Sequence, residues 1–316
     1  MRILIKNANV LSFSKEKFEK KDVLVDGNEI VKISNNIDTS CGRIIDATGN
    51  ILMPAFANLY FNAERAIKNS YGKVNADEFF KNSALAGVCF GKELDSSYLE
   101  NIASFSEKQL DEICLNLKSP VYVKIGQDLE EMGEINALSK KMPSEYLEDF
   151  GILDKKTFII GGNCFEKDEI ELFSNYNISF ILLPNDDARS GRRFANINTL
   201  KKYEIPFGLG SGEFAEINFF EMMRQILSYN SFVMENSSLM TAKEILEIAT
   251  IKGAEMLGEN GEVKEKNKAN FLIVKRDERY INPFNEIVFG KNNNDILFTI
   301  KNGKILQENG VFVMEN

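Results

Sequence analysis

The chain has no histidine among its 316 residues. Histidine is the commonest metal ligand and the one side chain that titrates near neutral pH without perturbation. Its absence excludes a His-ligated metal centre, a Ser-His-Asp triad and a Cys-His pair. Cysteine is scarce too. Cys41, Cys89, Cys114 and Cys164 are widely spaced and form no CxxC, a usage that predicts reduced, buried thiols in a cytoplasmic protein. No run approaches the ~18 apolar residues of a membrane span, so no transmembrane helix is expected. The opening stretch MRILIKNANV alternates and lacks the apolar centre of a signal peptide. Basic residues are the minority charge. Lys and Arg number 38 against 47 Asp and Glu, a net charge of -9, which argues against nucleic acid and acidic membranes as partners.

What is present suits a globular chain: 44% apolar and 27% charged residues, enough to bury a full core. Both ends read as strands. Residues 2–12 alternate through Ile3, Ile5 and Val10, and 22–33 repeat the pattern with Asp26-Gly27 as a hairpin signal. RIIDATG at 43–49 continues this start. Near the other end lie NFLIVK (270–275), DILFTIKNGKIL (295–306) with Asn302-Gly303 as a second hairpin turn, and VFVM (311–314). One small β-sandwich domain built from 1–50 and 262–316 is expected.

Residues 51–261 alternate short apolar runs with helical patterns. The runs are 51–60, 86–91, 120–126, 157–162, 178–184 and 205–210, with helices expected over 96–117 and 128–141. Continuous apolar strands followed by helices predict a parallel sheet covered on both faces, and serial βα units favour a (β/α) barrel. Residues 241–258 predict a long helix, with Thr241 and Glu244 as a capping box and Gly258 at its end.

Four segments carry a resemblance. They are DVLVDGNEIVKI with IIDATGNILMPAFANLYFNAE, PVYVKIGQDLEE, EYLEDFGILDKKTFIIGGNCFEKDEIELF, and IPFGLGSGE with NFFEMMRQI. Their order resembles the amidohydrolase superfamily, in its chlorohydrolase and cytosine deaminase branch. The segment NLYFNAERAIKNSYG, through Glu64, is most similar to the aminodeoxyfutalosine deaminases. The resemblance implies an α/β fold, a TIM-like barrel beside a small β-sandwich. It also implies metal-dependent hydrolysis of non-peptide C–N bonds.

Carried over position by position, the implied metal site is lost. The family's two strand 1 histidines fall on Tyr60 and Asn62, the strand 5 histidine on Lys124 and the proton-shuttling glutamate on Gln127. The strand 6 histidine falls on Gly161. The strand 8 aspartate falls on Gly212, after Ser211. Two of these residues have no side chain, Lys124 puts a cation where a metal would sit, and Gln127 cannot carry a proton. No metal or cofactor is expected.

The barrel is also short. Between Gly91 and Pro120 there is room for one helix, whereas each parallel crossover needs about a dozen residues. Barrel strands 3 and 4 are therefore expected to be missing or vestigial, leaving a truncated barrel of roughly six to eight strands. Exposed edges would be covered by a loop or a dimer partner.

Other candidates follow from chemistry. Cys164 has no base to activate it and reads as a structural thiol. Glu64, Asp186, Asp187 and Glu213 map near strand ends and offer oxygens to a hard cation. Arg189, Arg192 and Arg193, in an expected loop over 185–193, are anion-binding candidates, set against a solvated loop with internal Asp-Arg pairs. The expected function is a metal-free, inactive amidohydrolase homologue. Its pocket of Tyr60, Asn62, Glu64, Lys124, Gln127, Gly161, Ser211 and Gly212 would bind a small molecule, or the chain would pair with itself or an active paralogue. The alternative is a hydrolase or deaminase that works without the usual metal, with Lys124, Glu64 and Glu213 as acid-base groups.

Overall fold

A computed structural model describes residues 2–71, 73–94 and 98–313. Its strands in chain order are β1 (Arg2–Ser12), β2 (Lys17–Asp26), β3 (Glu29–Ser34), β4 (Arg43–Asp46), β5 (Asn50–Pro54), β6 (Phe56–Phe61), β7 (Val88–Glu93) and β8 (Val121–Ile125). They continue as β9 (Thr157–Gly161), β10 (Ile178–Leu182), β11 (Phe207–Leu209), β12 (Phe271–Lys275), β13 (Ile296–Lys301), β14 (Lys304–Glu308) and β15 (Val311–Phe312). Two compact units result, one of Met1–Leu59, Ala63–Lys92 and Glu213–Asn316, the other of Tyr60–Asn62 and Glu93–Gly212. No helix of the described residues is long and apolar enough to cross a membrane.

Both chain ends meet in a nine-stranded sheet, ordered β15-β14-β13-β12-β5-β1-β2-β3 with β4 beside β1. The alternation seen in the sequence sends Ile3, Ile5, Val23 and Val25 into a core shared with Leu52, Phe271 and Ile300. The first hairpin pairs Asp26 with Glu29, so its turn is Gly27-Asn28, one residue beyond the expected Asp26-Gly27. Gly27 supplies the left-handed conformation there, at φ +61°. The second hairpin falls as expected, with Asn302 and Gly303 both left-handed between β13 and β14. Of the expected final strand 311–314, Met314 lies outside the described residues.

The apolar run 51–60 is two strands. β5 pairs with β1 and β12 in the large sheet, whereas β6 turns away and pairs with β7. The middle contributes a parallel sheet ordered β11-β10-β9-β8. β9 and β10 are buried at every residue, as strands of a doubly covered parallel sheet must be. This architecture is α/β with parallel strands.

Both edges of the four-stranded sheet are occupied. Beyond β11, Gly212 N–H donates to Tyr60 O (3.1 Å) and Asn62 N–H to Gly212 O (3.0 Å). Beyond β8, Leu99 N–H donates to Tyr122 O (2.9 Å) and Lys124 N–H to Leu99 O (2.7 Å). The chain after β7 thus covers an edge that was expected to need a loop or a partner. The expected helix over 96–117 is corrected accordingly. Leu99 is extended, and the helix runs only over Glu107–Asn116, because Ser106 and Gln109 cap each other and start it there. Residues 96 and 97 lie outside the described set.

The helix expected over 241–258 begins as predicted. Glu244 N–H donates to Thr241 Oγ1 and Thr241 N–H to Glu244 Oε2 (2.8 Å). It is interrupted by a π turn at Ile248–Lys252, where Thr250 Oγ1 donates back to Leu246 O. Gly253 follows, and a Cβ there would lie 2.9 Å from Ala57 Cβ, so the close approach to β6 requires glycine. Thr241→Ala is expected to lower unfolding free energy by about 1 kcal/mol, read from the urea midpoint at unchanged slope.

All four cysteines are free; Cys89, Cys114 and Cys164 are buried, but Cys41 is only half-buried, contrary to expectation. Burial pushes the Cys89 thiol up to about 12.

Candidate functional site

The C-terminal ends of β8 to β11 deliver polar residues to one end of the parallel sheet. β8 and the turn after it bring Lys124 and Gln127, β9 brings Gly161 and Asn163, the helix after β10 brings Asp186 and Asp187, and β11 leads to Ser211 and Gly212. Tyr60 and Asn62 arrive from β6, and all of these belong to one unit. Glu64 and Glu213 fall in the other unit. Glu64 is exposed on the helix Ala63–Asn69. Glu213 is ion-paired with Arg65 at 2.8 Å, and its carbonyl accepts from Asn69 Nδ2.

The two glycines are filled by neighbours. A Cβ at Gly161 would lie 2.9 Å from Gln127 Cγ and 3.2 Å from Gln127 Nε2. A Cβ at Gly212 would lie 2.0 Å from Asp186 Oδ2 and 2.4 Å from Asp186 Cγ. Both glycines have positive φ, +88° and +71°. Gln127 and Asp186 therefore occupy the space that side chains at 161 and 212 would take. The Gln127 backbone N–H donates to Glu131 Oε2 (3.0 Å), which fixes the start of the turn. Gln127 Nε2 is buried with no hydrogen-bond partner.

The expected loop 185–193 is a helix over Pro184–Ser190, opened by Pro184 in its first turn and ended by left-handed Gly191. The helix turns Asp186 and Asp187 inward, 5% and 2% exposed, and leaves Arg189 outside. Asp187 Oδ1 accepts from Asn163 Nδ2 at 2.7 Å. Burial drives the Asp187 carboxyl up to about 7, aided by the negative charge of Asp186. The hydrogen bond from Asn163 and the charges of Arg192 and Lys124 pull the other way. Arg193 donates to Cys164 O (3.3 Å) and lies 3.5 Å from Glu166 Oε1. The arginines expected as an anion clamp are thus partly spent inside the protein, Arg193 on Cys164 and Glu166 and Arg192 through its field on Asp187.

Two members escaped the sequence reading. Asn163 was given no role from the sequence, and only its place two residues past a strand end could have marked it. Tyr98 lies in the stretch read as helix. Its ring packs edge-on against Tyr60 at 5.8 Å, with the hydroxyls 3.4 Å apart, and Tyr98 Oη donates to Glu100 Oε2 (3.3 Å). Among the described residues no group of three His, Cys, Asp or Glu side chains could hold a metal ion.

The amidohydrolase family profile matches residues 122–306. The 5-methylthioadenosine/S-adenosylhomocysteine deaminase of Thermococcus onnurineus is 21% identical, over 97% of this chain and 94% of its own length. The 5'-deoxyadenosine deaminase of Methanococcus vannielii is 28% identical, over 52% of this chain and 40% of its own. Among solved structures, an adenosine deaminase from Xanthomonas campestris with bound zinc aligns at TM-score 0.83 and 12% identity, over 99% of this chain and 94% of that one. A guanine deaminase from C. acetobutylicum with bound guanine aligns at TM-score 0.74 and 15% identity, over 96% and 100%. At these identities the structural likeness speaks for the fold.

Proposed function

The chain belongs to the amidohydrolase family, and from that premise we propose that it is a metal-free, cytoplasmic member that does not hydrolyse and instead binds a small molecule or a partner subunit at the strand ends around Lys124. In this proposal β6 to β11 form a shortened (β/α) barrel, and the chain ends form its β-sandwich domain, which β5 carries past the expected boundary at residue 50 to Pro54.

One observation carries it. The spaces over Gly161 and Gly212 are taken by Gln127 and Asp186, at two positions where the resemblance implies metal ligands. A zinc centre of the usual kind needs three or four imidazole, thiolate or carboxylate ligands at about 2 Å. The chain has no imidazole at all. The residues present do not fit such a centre, and no step of hydrolysis is assigned to a metal.

The test is elemental analysis of the purified protein, with ammonia release measured from 5-methylthioadenosine, S-adenosylhomocysteine, 5'-deoxyadenosine and guanine, compounds taken from the names of the relatives. The expected result is metal far below one ion per chain and no ammonia above buffer. Stoichiometric metal together with turnover would overturn the proposal.

A second reading rests on Asp187. A buried carboxyl held at about 7 is in the range suited to general acid-base work. It makes the chain a metal-independent hydrolase of C–N bonds. Ammonia release that survives chelation and disappears in Asp187→Asn would favour it; its absence from the same four compounds favours the first.

A further inference from the structure

In the unit that holds both chain ends, three helices pack on one another around a cavity of about 500 Å³. Leu227 and Ser231 line it from the helix Phe219–Val233, Ala242 from the start of the next helix, and Phe284 and Phe289 from the helix Pro283–Gly290. The first and last of these run antiparallel. Arg224, in the first half of one, donates to Val288 O and Lys291 O at the end of the other (2.9 Å each). Ser231 and Asn282, from the opposite ends, line the same cavity.

The rim of this cavity is apolar and open. Phe232, Val233 and Met234 follow Ser231 and are exposed, Phe232 by 87%. Ile281 precedes Asn282 and is fully exposed, and Phe289 on the cavity wall is half-exposed. Taking ~200 Å² for a large apolar residue, these five leave roughly 600 Å² in water. That is the upper end of what a monomer shows, and close to the ~800 Å² that each partner covers in a stable interface.

Charge and shape together select the occupant. From Leu227 to Met234 there is no charged residue, and from Ile281 to Phe289 the one charged residue, Glu286, is fully buried. A strongly acidic or basic partner would find nothing to pair with. Two copies of a chain with net charge -9 repel each other. In a two-fold contact a surface meets itself, so charges near the axis would face their own sign. A charge-free face is where such copies can approach. The same face also carries a projecting ring, Phe232, beside a hole. Two-fold symmetry satisfies both at once, because what one copy inserts the other receives.

We propose that a second copy of this chain docks on this face, with the Phe232 ring of each copy entering the cavity of the other. Sedimentation equilibrium at micromolar concentration is expected to give a particle of twice the 35.8 kDa chain. Sodium chloride screens the repulsion between the copies, so association is expected to hold or tighten as salt rises. Phe232→Glu removes the ring and sets two carboxylates in an apolar contact, and is expected to weaken the dimer roughly 100-fold or more. Ser231→Trp fills the cavity without adding charge and is expected to have the same effect. Leu115→Glu alters another exposed apolar residue, on the helix Glu107–Asn116, and is expected to leave the dimer intact. Phe232 and Leu115 are exposed, so both charged variants should keep the far-ultraviolet circular dichroism of the parent. The inference is overturned if either Phe232→Glu or Ser231→Trp dimerises like the parent, or if Leu115→Glu alone gives the monomer. A parent that is monomeric at every concentration also overturns it, and leaves the face to a different apolar partner. None of these outcomes depends on metal content or ammonia release, so the inference stands or falls apart from the proposed function.

Discussion

Gly212→Ala is expected to destabilise the protein by about 4 kcal/mol, combining a left-handed residue's cost with overpacking. The first part comes from φ +71° at Gly212. An L-residue forced there loses about 1–2 kcal/mol. The second part is steric. The new methyl would meet Asp186 Oδ2 at 2.0 Å, far inside contact distance, and Asp186 is buried and cannot simply swing out to water. Overpacking of this kind costs about 1–3 kcal/mol. The two parts separate in a double-mutant cycle. Asp186→Ala removes the clash and leaves the backbone strain, so the double variant should recover about 1–3 kcal/mol relative to the sum of the singles. Urea unfolding of the four proteins reads this directly. Strict additivity would mean that Asp186 does not hold the space over Gly212.

The same pair marks where reading the sequence stops. The chain ends were legible because burial on one face of a sheet imposes a period of two, and Ile3, Ile5, Val23 and Val25 keep it. Asn302-Gly303 was legible because a two-residue turn with both residues left-handed selects that dipeptide. The helix at 96–117 was misread because the segment has helical composition, yet Leu99 is drawn into the free edge of β8 by two backbone hydrogen bonds. Edge satisfaction is a tertiary demand that no local pattern encodes. Position-by-position comparison identified Gly161 and Gly212 as positions without side chains. It could not reveal that Gln127 and Asp186 fill them, because that depends on how far a neighbouring strand end reaches. Asp186 and Asp187 read as loop residues, since a short helix opened by Pro184 carries little periodicity. Once the helix forms, its geometry sends both carboxyls inward and lifts the Asp187 carboxyl far above the ordinary range.

That group sets a large pH effect on the stability of the fold. The folded Asp187 carboxyl lies at about 7, against 3.8 for the ordinary group. Between those values the folded protein holds a proton that the unfolded chain has released. Linkage then requires stability to fall as pH rises through this window, and to level off above about 7 where both states are ionised. Every tenfold difference in proton affinity between the folded and unfolded chain is worth about 1.36 kcal/mol, so the full contribution is on the order of 4 kcal/mol. Asp187→Asn keeps an oxygen to accept from Asn163 and removes the titration. The variant is therefore expected to match the parent near pH 4 and to exceed its stability by up to about 4 kcal/mol at pH 8. The difference between the two proteins, followed by urea unfolding from pH 4 to pH 8, isolates this carboxyl from others. Asp22, for instance, is held below the usual carboxylate range: burial opposes its ionisation, but donors from Asn7, Lys6 and Ile37 outweigh it. Its effect lies at more acid pH and cancels in the difference. A parent-minus-variant difference that stays flat across the window would show that Asp187 is ionised throughout. The second, catalytic reading of the site would then lose its acid.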